Sequence, residues 1–388
     1  MRIFYACPKP ATDIPNSLIW YYNLYLPLID LGHQVVIFDY DLLPLISRAD
    51  PHNPGNEEFI QKNRRIASEE LLRQVHLAHQ KKPIDLFFSY FYSSCVDPNA
   101  VQEIKRMGIK TVNWYCNGSY QFHLVKEIAP TYDYCLVPEK FRLEDYRRIG
   151  ANPIYCQEAA NPNFYKPHQF SKDFDVVFVG QKYGNRPQYI RYLFDHGINA
   201  RVWGPGWQEK GELSQPVKHL PPMKKLAKLK TSKGWRNAGC KAQRLLGFLP
   251  PADPPVSLPW KIVGPALSDE EMIKMYSRSK ISLGFSSCGD THLKRRQILQ
   301  VRLRDFEVPM SGAFYMVEYM KELEEFFEIG KEIVCYRNKE DLLAKVKYYL
   351  GNEAEREKIR QGGYRRALNE HTWQKRLEDV FVQMGLPS

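Results

Sequence analysis

Three stretches hold side chains that could bind a phosphorylated substrate and stabilise a leaving phosphate. The first is Val179-Gly180-Gln181-Lys182-Tyr183-Gly184-Asn185-Arg186, directly after an apolar run from Asp175. Two glycines in a strand-to-helix turn let the backbone approach a phosphate, and the helix that follows offers free N–H groups to an anion. Lys182 and Arg186 would add positive charge. An ordinary turn carrying solvated cations fits the same letters. The spacing is neither G-x-G-x-x-G nor a P-loop, which sets aside dinucleotide and P-loop ATPase readings.

The second stretch runs from Ile262 through Gly264 and Ser268-Asp-Glu-Glu271 to Ile281. Ser268 and Glu271 have capping-box spacing, so a helix should begin there and leave Val263 and Gly264 at a strand end, where backbone could meet a planar base. A capped helix after a strand is also a common structural pattern. In the third stretch, Gln300-Val-Arg302-Leu-Arg304-Asp-Phe-Glu307, two guanidinium forks suit a diphosphate and the carboxylate suits paired ribose hydroxyls. An Arg304–Glu307 ion pair on one helix face is the competing reading.

Chemistry at a substrate hydroxyl would need a general base. The candidates are Asp13, in the loop after the first strand, and His123, downstream of Trp114, Tyr115 and Asn117. Asp13 also fits a helix cap, His123 a satisfied helix histidine, and the aromatics a core. The eight cysteines show no metal-finger spacing and read as reduced thiols. The reading calls for no metal or other cofactor, because cationic side chains and helix N-termini would carry the leaving-group charge.

The elements that must position these residues alternate strand and helix. Arg2 to Cys7 reads as a strand, Ser17 to Leu31 as helical with a stop at Gly32, and Gln34 to Asp39 as a second strand, which is one βαβ unit. Further strands are expected at Asp85 to Tyr90, Lys110 to Tyr115 and Tyr134 to Val137. The Pro- and Asn-rich segment Ala159 to Pro167 reads as a linker. The alternation restarts at Asp175 to Gly180, continues with Ala200 to Trp203 and Ile281 to Phe285, and has a helix at Phe306 to Ser311 before the strand Ala313 to Val317.

The 388 residues are 44% hydrophobic and 26% charged, values that exclude disorder, collagen and coiled coil. No apolar run approaches the ~20 residues of a spanning helix, and the N-terminus lacks the apolar core of a signal peptide, so a cytoplasmic protein is expected. Of the net charge of +11, +9 belongs to residues 218–249, which hold nine Lys or Arg and no Asp or Glu. With Leu226, Leu229, Leu245, Leu246 and Leu249 at helical spacing, this segment suits an anionic membrane surface and a peripheral position on the inner face. No nucleic-acid-binding motif accompanies it, and a solvated loop fits equally.

Capped turn, Arg-rich approach, Phe-Glu, small-residue turn and strand, in that order, resemble the donor-binding half of GT-B glycosyltransferases, and most closely the CgeB-like (spore-maturation-type) glycosyl transferase group 1 proteins. The tail, Glu322 to Arg337, Leu342 to Leu350 and Glu370-His-Thr-Trp373, is similar to that family's closing segment, and Asn161 to Pro167 to its hinge. The resemblance covers roughly Asp175 to the C-terminus outside the insertion. It implies an α/β fold of two Rossmann-like doubly wound domains around a cleft. The expected division is an acceptor domain at 1–158, a hinge at 159–170, a nucleotide-sugar domain at 171–365 with a basic insertion at 206–261, and a C-terminal helix at 366–388 packing back on the first domain.

Carried over by position, Glu307 would hold the donor ribose. Arg304, Arg186, Lys182 and Arg302 would neutralise the diphosphate, with Gly180 lining it, and Val263 and Gly264 would contact the base; Arg304, Asp13 and His123 stand as the catalytic set. Leu299 departs from the pattern, since retaining members commonly carry a glutamate there. The implied activity is transfer of a sugar from a nucleotide-diphosphate sugar to a glycan, lipid-linked or small-molecule acceptor. A non-catalytic protein docking on membrane or nucleic acid through its insertion is the alternative, and a sugar-nucleotide epimerase a third reading.

Overall fold

The computed structural model describes residues 1–7, 17–208, 256–289, 291–293 and 297–387. Asp13 and the basic insertion from 209 to 255, including the whole of 218–249, lie outside the described residues.

Two parallel sheets of six strands each form the frame. The first holds β1 (Arg2–Ala6), β2 (Gln34–Ile37), β3 (Leu86–Ser89), β4 (Lys110–Trp114), β5 (Tyr134–Val137) and β6 (Pro153–Tyr155), in the order β2-β1-β3-β4-β5-β6. The second holds β7 (Phe174–Val179), β8 (Ala200–Trp203), β9 (Val263–Gly264), β10 (Ser279–Gly284), β11 (Tyr315–Glu318) and β12 (Val334–Tyr336), in the order β12-β11-β10-β7-β8-β9. β1 and β3 are buried along their whole length, as strands covered on both faces must be.

Strand order fixes where ligands can bind. In the second sheet, chain order runs outward in both directions from the β7–β10 pair, so the connections from these two strands leave on opposite faces and open a crevice beyond their carboxyl ends. In the first sheet the reversal falls between β1 and β3.

The chain crosses between the sheets twice, at one place. Ala160 accepts a hydrogen bond from the Trp373 N–H at 3.3 Å and donates to the His371 carbonyl at 3.1 Å. Beyond this crossing the helix Trp373–Gln383 returns to the first sheet, where Trp373, Leu377, Val380 and Phe381 join its core and Trp373 meets Trp114 edge-on at 5.2 Å.

Two helix starts follow from their sequences. At Ser268 the capping box closes: the Ser268 N–H donates to Glu271 Oε2 at 2.9 Å and the Glu271 N–H donates to Ser268 Oγ at 3.3 Å. The helix Leu303–Met310 begins earlier than the apolar pattern suggests, because the Arg302 N–H donates to Asp305 Oδ2 at 2.7 Å and satisfies the first turn. The Ser17 to Leu31 region is irregular, with a π-helical turn at Tyr21–Tyr25 and a short α-helix at Leu26–Asp30. Among the described residues no helix is long and apolar enough to cross a membrane.

Candidate functional site

The crevice of the second sheet is where three predicted arginines meet. Gly180 follows β7, Phe285 follows β10, and the helix Leu303–Met310 starts beside both. Arg302 is anchored by backbone: its Nε donates to the Phe285 carbonyl at 3.0 Å and its Nη2 to the Ser287 carbonyl at 2.7 Å. Arg304 lies against Gly180, so that a Cβ on residue 180 would come within 3.0 Å of Arg304 Nη2. Arg186 stacks on the Tyr183 ring at 3.6 Å, with Phe178 and Phe285 farther out, and its Nη1 donates to the Gln181 carbonyl at 2.8 Å.

No carboxylate ion pair reaches any of the three among the described residues. Burial, together with the positive charges of Arg302 and Arg304, lowers the Arg186 pKa to about 9. Three guanidinium groups thus share one end of the sheet with no carboxylate at ion-pair distance among the described residues, while Asp305 acts on Arg302 and Glu307 on Arg304 from farther away. The Arg304–Glu307 ion pair that the sequence also allowed does not form within 4 Å.

Glu307 is 3% exposed and reaches toward the hinge. Its Oε1 accepts a hydrogen bond from the Tyr165 hydroxyl, which in turn accepts from Asn23 Nδ2 at 3.1 Å. Burial raises its pKa to about 7, against the opposing pull of the Tyr165 bond and Arg304. One carboxylate oxygen is thus committed to a tyrosine of the hinge.

Around the crevice rim, Gly264 lies against the Trp203 ring with no room for a Cβ. Val263 is half-buried beside it on the edge strand, and the Lys182 N–H donates to the Pro205 carbonyl at 2.9 Å. These backbones stand beside the arginine cluster, at the ends of β7, β8 and β9. His123 lies in a short 3-10 turn with its ring stacked on His52 at 6.4 Å.

Facing the arginines across the cleft are two glutamates for which the sequence offered no motif. Glu139 follows β5 and Glu158 follows β6. Glu139 Oε1 accepts from the Ser119 N–H at 3.1 Å, while Oε2 is buried without a partner. Ser119 Oγ donates to Gln300 Oε1 at 2.5 Å and so ties the first sheet to the approach of Arg302. Glu158 is 6% exposed. Its backbone N–H donates to Gln157 Oε1 at 2.9 Å, but among the described residues no hydrogen bond or ion pair reaches its carboxylate. Burial raises Glu139 to about 7, and burial reinforced by the charges of Glu139 and Glu307 raises Glu158 to about 8. A glutamate at each of two adjacent strand ends was the available signal.

Beside this pair, a cavity of about 360 Å³ opens between Phe141, Arg142 and Asp145 of the first half and Gln297, Ile298 and Leu299 of the second. Leu299 therefore contributes an apolar wall. The seven described cysteines are free and buried, and among the described residues no group of three His, Cys, Asp or Glu could hold a metal.

Residues 241–381 match a family described as glycosyl transferase-like. No curated protein matches the chain in sequence. Solved structures are similar along the whole length. Alr3699/HepE of Anabaena, in complex with UDP-glucose, superimposes with a TM-score of 0.56 at 10% identity over 99% of each chain. Sucrose-phosphate synthase of Thermosynechococcus elongatus gives 0.55 at 11% identity, over 99% of this chain and 98% of that one. A glycosyltransferase of Rickettsia africae gives 0.54 at 11% identity, over 98% and 97%. The fold is that of the GT-B glycosyltransferases, two Rossmann-like parallel-sheet halves, and the C-terminal portion carries a glycosyl transferase signature.

Proposed function

We propose that this protein transfers a sugar from a nucleoside-diphosphate sugar to an acceptor hydroxyl. The observation that carries the reading is the cluster of Arg186, Arg302 and Arg304, with no carboxylate at ion-pair distance among the described residues, at the β7–β10 crevice of a GT-B fold. Its charge suits a diphosphate, and it is worth most as the diphosphate leaves, when negative charge on the leaving oxygen is greatest. Glu307 Oε2 takes a ribose hydroxyl and the backbone of Val263 and Gly264 meets the base. The complex of Alr3699/HepE with UDP-glucose supports a uridine nucleotide as the first donor to test.

Of glycosyl transferase group 1 proteins, the CgeB-like subgroup fits best, on the closing segment from Glu322 to Trp373. No metal is required in this scheme, since the guanidinium groups supply the charge that a divalent ion would. The 218–249 segment is a membrane-docking element in this reading, holding the enzyme near a lipid-linked acceptor on the inner face.

Purified protein incubated with a panel of nucleotide sugars, with released nucleoside diphosphate detected by mass spectrometry, tests the proposal. Release from one or more donors is expected. Absence of release, together with absence of nucleoside diphosphate binding, rejects it.

A further inference from the structure

We propose that Glu158 is the proton acceptor for the incoming hydroxyl, with Glu139 fixed beside it by Ser119. The inference rests on the glycosyltransferase reading and assigns that site a residue that neither the family match nor the sequence pattern singles out.

A carboxylate sealed from water is costly unless hydrogen bonds or a cation repay it. Glu139 is repaid in part: Ser119 donates to one of its oxygens, and Gly118 leaves room for the other, since a Cβ there would approach Glu139 Oε2 to 2.9 Å. Glu158, 6% exposed, receives no hydrogen bond at its carboxylate among the described residues, and the charge of Arg302 offsets its burial only in part. A carboxylate retained in that state has an unfilled requirement for a donor, and a substrate hydroxyl would fill it.

Placement supports the same role. β5 and β6 are parallel neighbours, so Glu139 and Glu158 leave the first sheet on the side that faces Arg302. The charges that act on Glu158 come from both halves: Glu139 from the first, and Arg302, Asp305 and Glu307 from the second. The Cys116 thiol, after β4, also faces it. An acceptor bound between the halves would present its hydroxyl to Glu158 on one side and to the donor sugar, held by its diphosphate on the arginines, on the other.

The step balances without a further reagent. The acceptor oxygen forms a bond to the anomeric carbon, and the bond from that carbon to the diphosphate oxygen breaks. The bonding pair leaves with the nucleoside diphosphate, whose charge the arginines hold. The hydroxyl proton passes to the Glu158 carboxylate. Burial, with like charge from Glu139 added, raises Glu158, while the hydrogen bond from Ser119 holds Glu139 lower, so Glu158 is the more basic of the two and its proton affinity suits neutral or mildly alkaline pH.

The test uses the full chain, with water as the acceptor and nucleotide sugars as donors, and follows nucleoside diphosphate release against pH. Wild-type turnover should rise from acid pH and level off above about 8. Glu158→Gln should lower turnover by about 10²–10⁴-fold, remove the rising limb and leave the Kd for nucleoside diphosphate unchanged. Glu158→Asp should keep a limb at reduced rate, and it carries the test if the Gln variant fails to fold. Wild-type turnover in either variant, a limb that survives in Glu158→Gln, or loss of nucleoside diphosphate binding along with turnover overturns the assignment. A wild type that binds and turns over no nucleotide sugar overturns the transferase reading, and the base with it.

Discussion

Gly180 and Arg304 stand so close that the absence of a side chain at 180 is what leaves the guanidinium its place. A Cβ there would lie 3.0 Å from Arg304 Nη2 and 2.8 Å from Phe178 Cζ. The glycine thus belongs to the arginine site and does more than shape a turn. Gly180→Ala should displace Arg304 and weaken nucleoside diphosphate binding about tenfold, at an overpacking cost of about 1–3 kcal/mol. Calorimetric titration and thermal melting measure both; unchanged affinity would mean that Arg304 does not touch the ligand.

Glu307 serves the hinge and the ligand with different oxygens, so two substitutions should separate the roles. Glu307→Gln keeps an acceptor for Tyr165 but loses the charge, and should weaken donor binding with little change in melting temperature. Glu307→Ala leaves the buried Tyr165 hydroxyl without an acceptor and should also cost about 1–3 kcal/mol of stability. Equal melting temperatures for the two variants would contradict the hinge contact.

Arg186 and Arg304 differ in how they are held, and their alanine variants should differ too. Arg186 is 3% exposed and packed on Tyr183 with a backbone acceptor, so its truncation removes packing as well as charge. Arg186→Ala should lose about 2–4 kcal/mol of stability together with activity. Arg304 is held more lightly, by the Tyr276 hydroxyl at 3.4 Å and the Phe178 ring at 5.3 Å, and Arg304→Ala should melt near the parent temperature while losing turnover by about 10²–10³-fold. Parallel melts and rates for the pair decide.

The parts of this arrangement that the sequence made legible are those set by neighbours in the chain. Strand-to-helix turns put Gly180 and Arg186 at a sheet end, and the capping box at Ser268 fixed one helix start. The ring stack around Arg186 was not legible, because Phe178, Tyr183 and Phe285 come together only when β7 and β10 pair. Glu139 and Glu158 were hidden for the same reason: each follows a short strand, with no local motif, and only the parallel pairing of β5 with β6 makes them neighbours. Tyr165 was read as hinge, and its bond to Glu307 depends on the angle at which the halves meet.

His371, at the crossing between the halves, should make stability fall with acid. Burial, reinforced by Arg376 and Arg366, lowers its pKa from 6.5 to about 4. Its Nε2 faces the Phe326 carbonyl at 2.7 Å and therefore carries the proton, and Nδ1 is buried without a partner. The unfolded chain binds the second proton more readily, so stability from this group is present above pH 6.5 and is lost as pH falls toward 4, by about 3 kcal/mol at most. Chemical denaturation of wild type and His371→Gln across that window should show the difference between them shrinking as pH falls. A constant difference would mean that His371 titrates normally.

The central claim is that the cluster at the β7–β10 crevice binds the diphosphate of the donor. Calorimetric titration of wild type and Arg304→Ala with a nucleoside diphosphate and with the matching unphosphorylated nucleoside tests it most directly. The account predicts that wild type binds the diphosphate at least tenfold more tightly than the nucleoside, and that Arg304→Ala loses most of that margin while its weak affinity for the nucleoside stays the same. Equal affinity of wild type for the two ligands, or an undiminished margin in the variant, would contradict it.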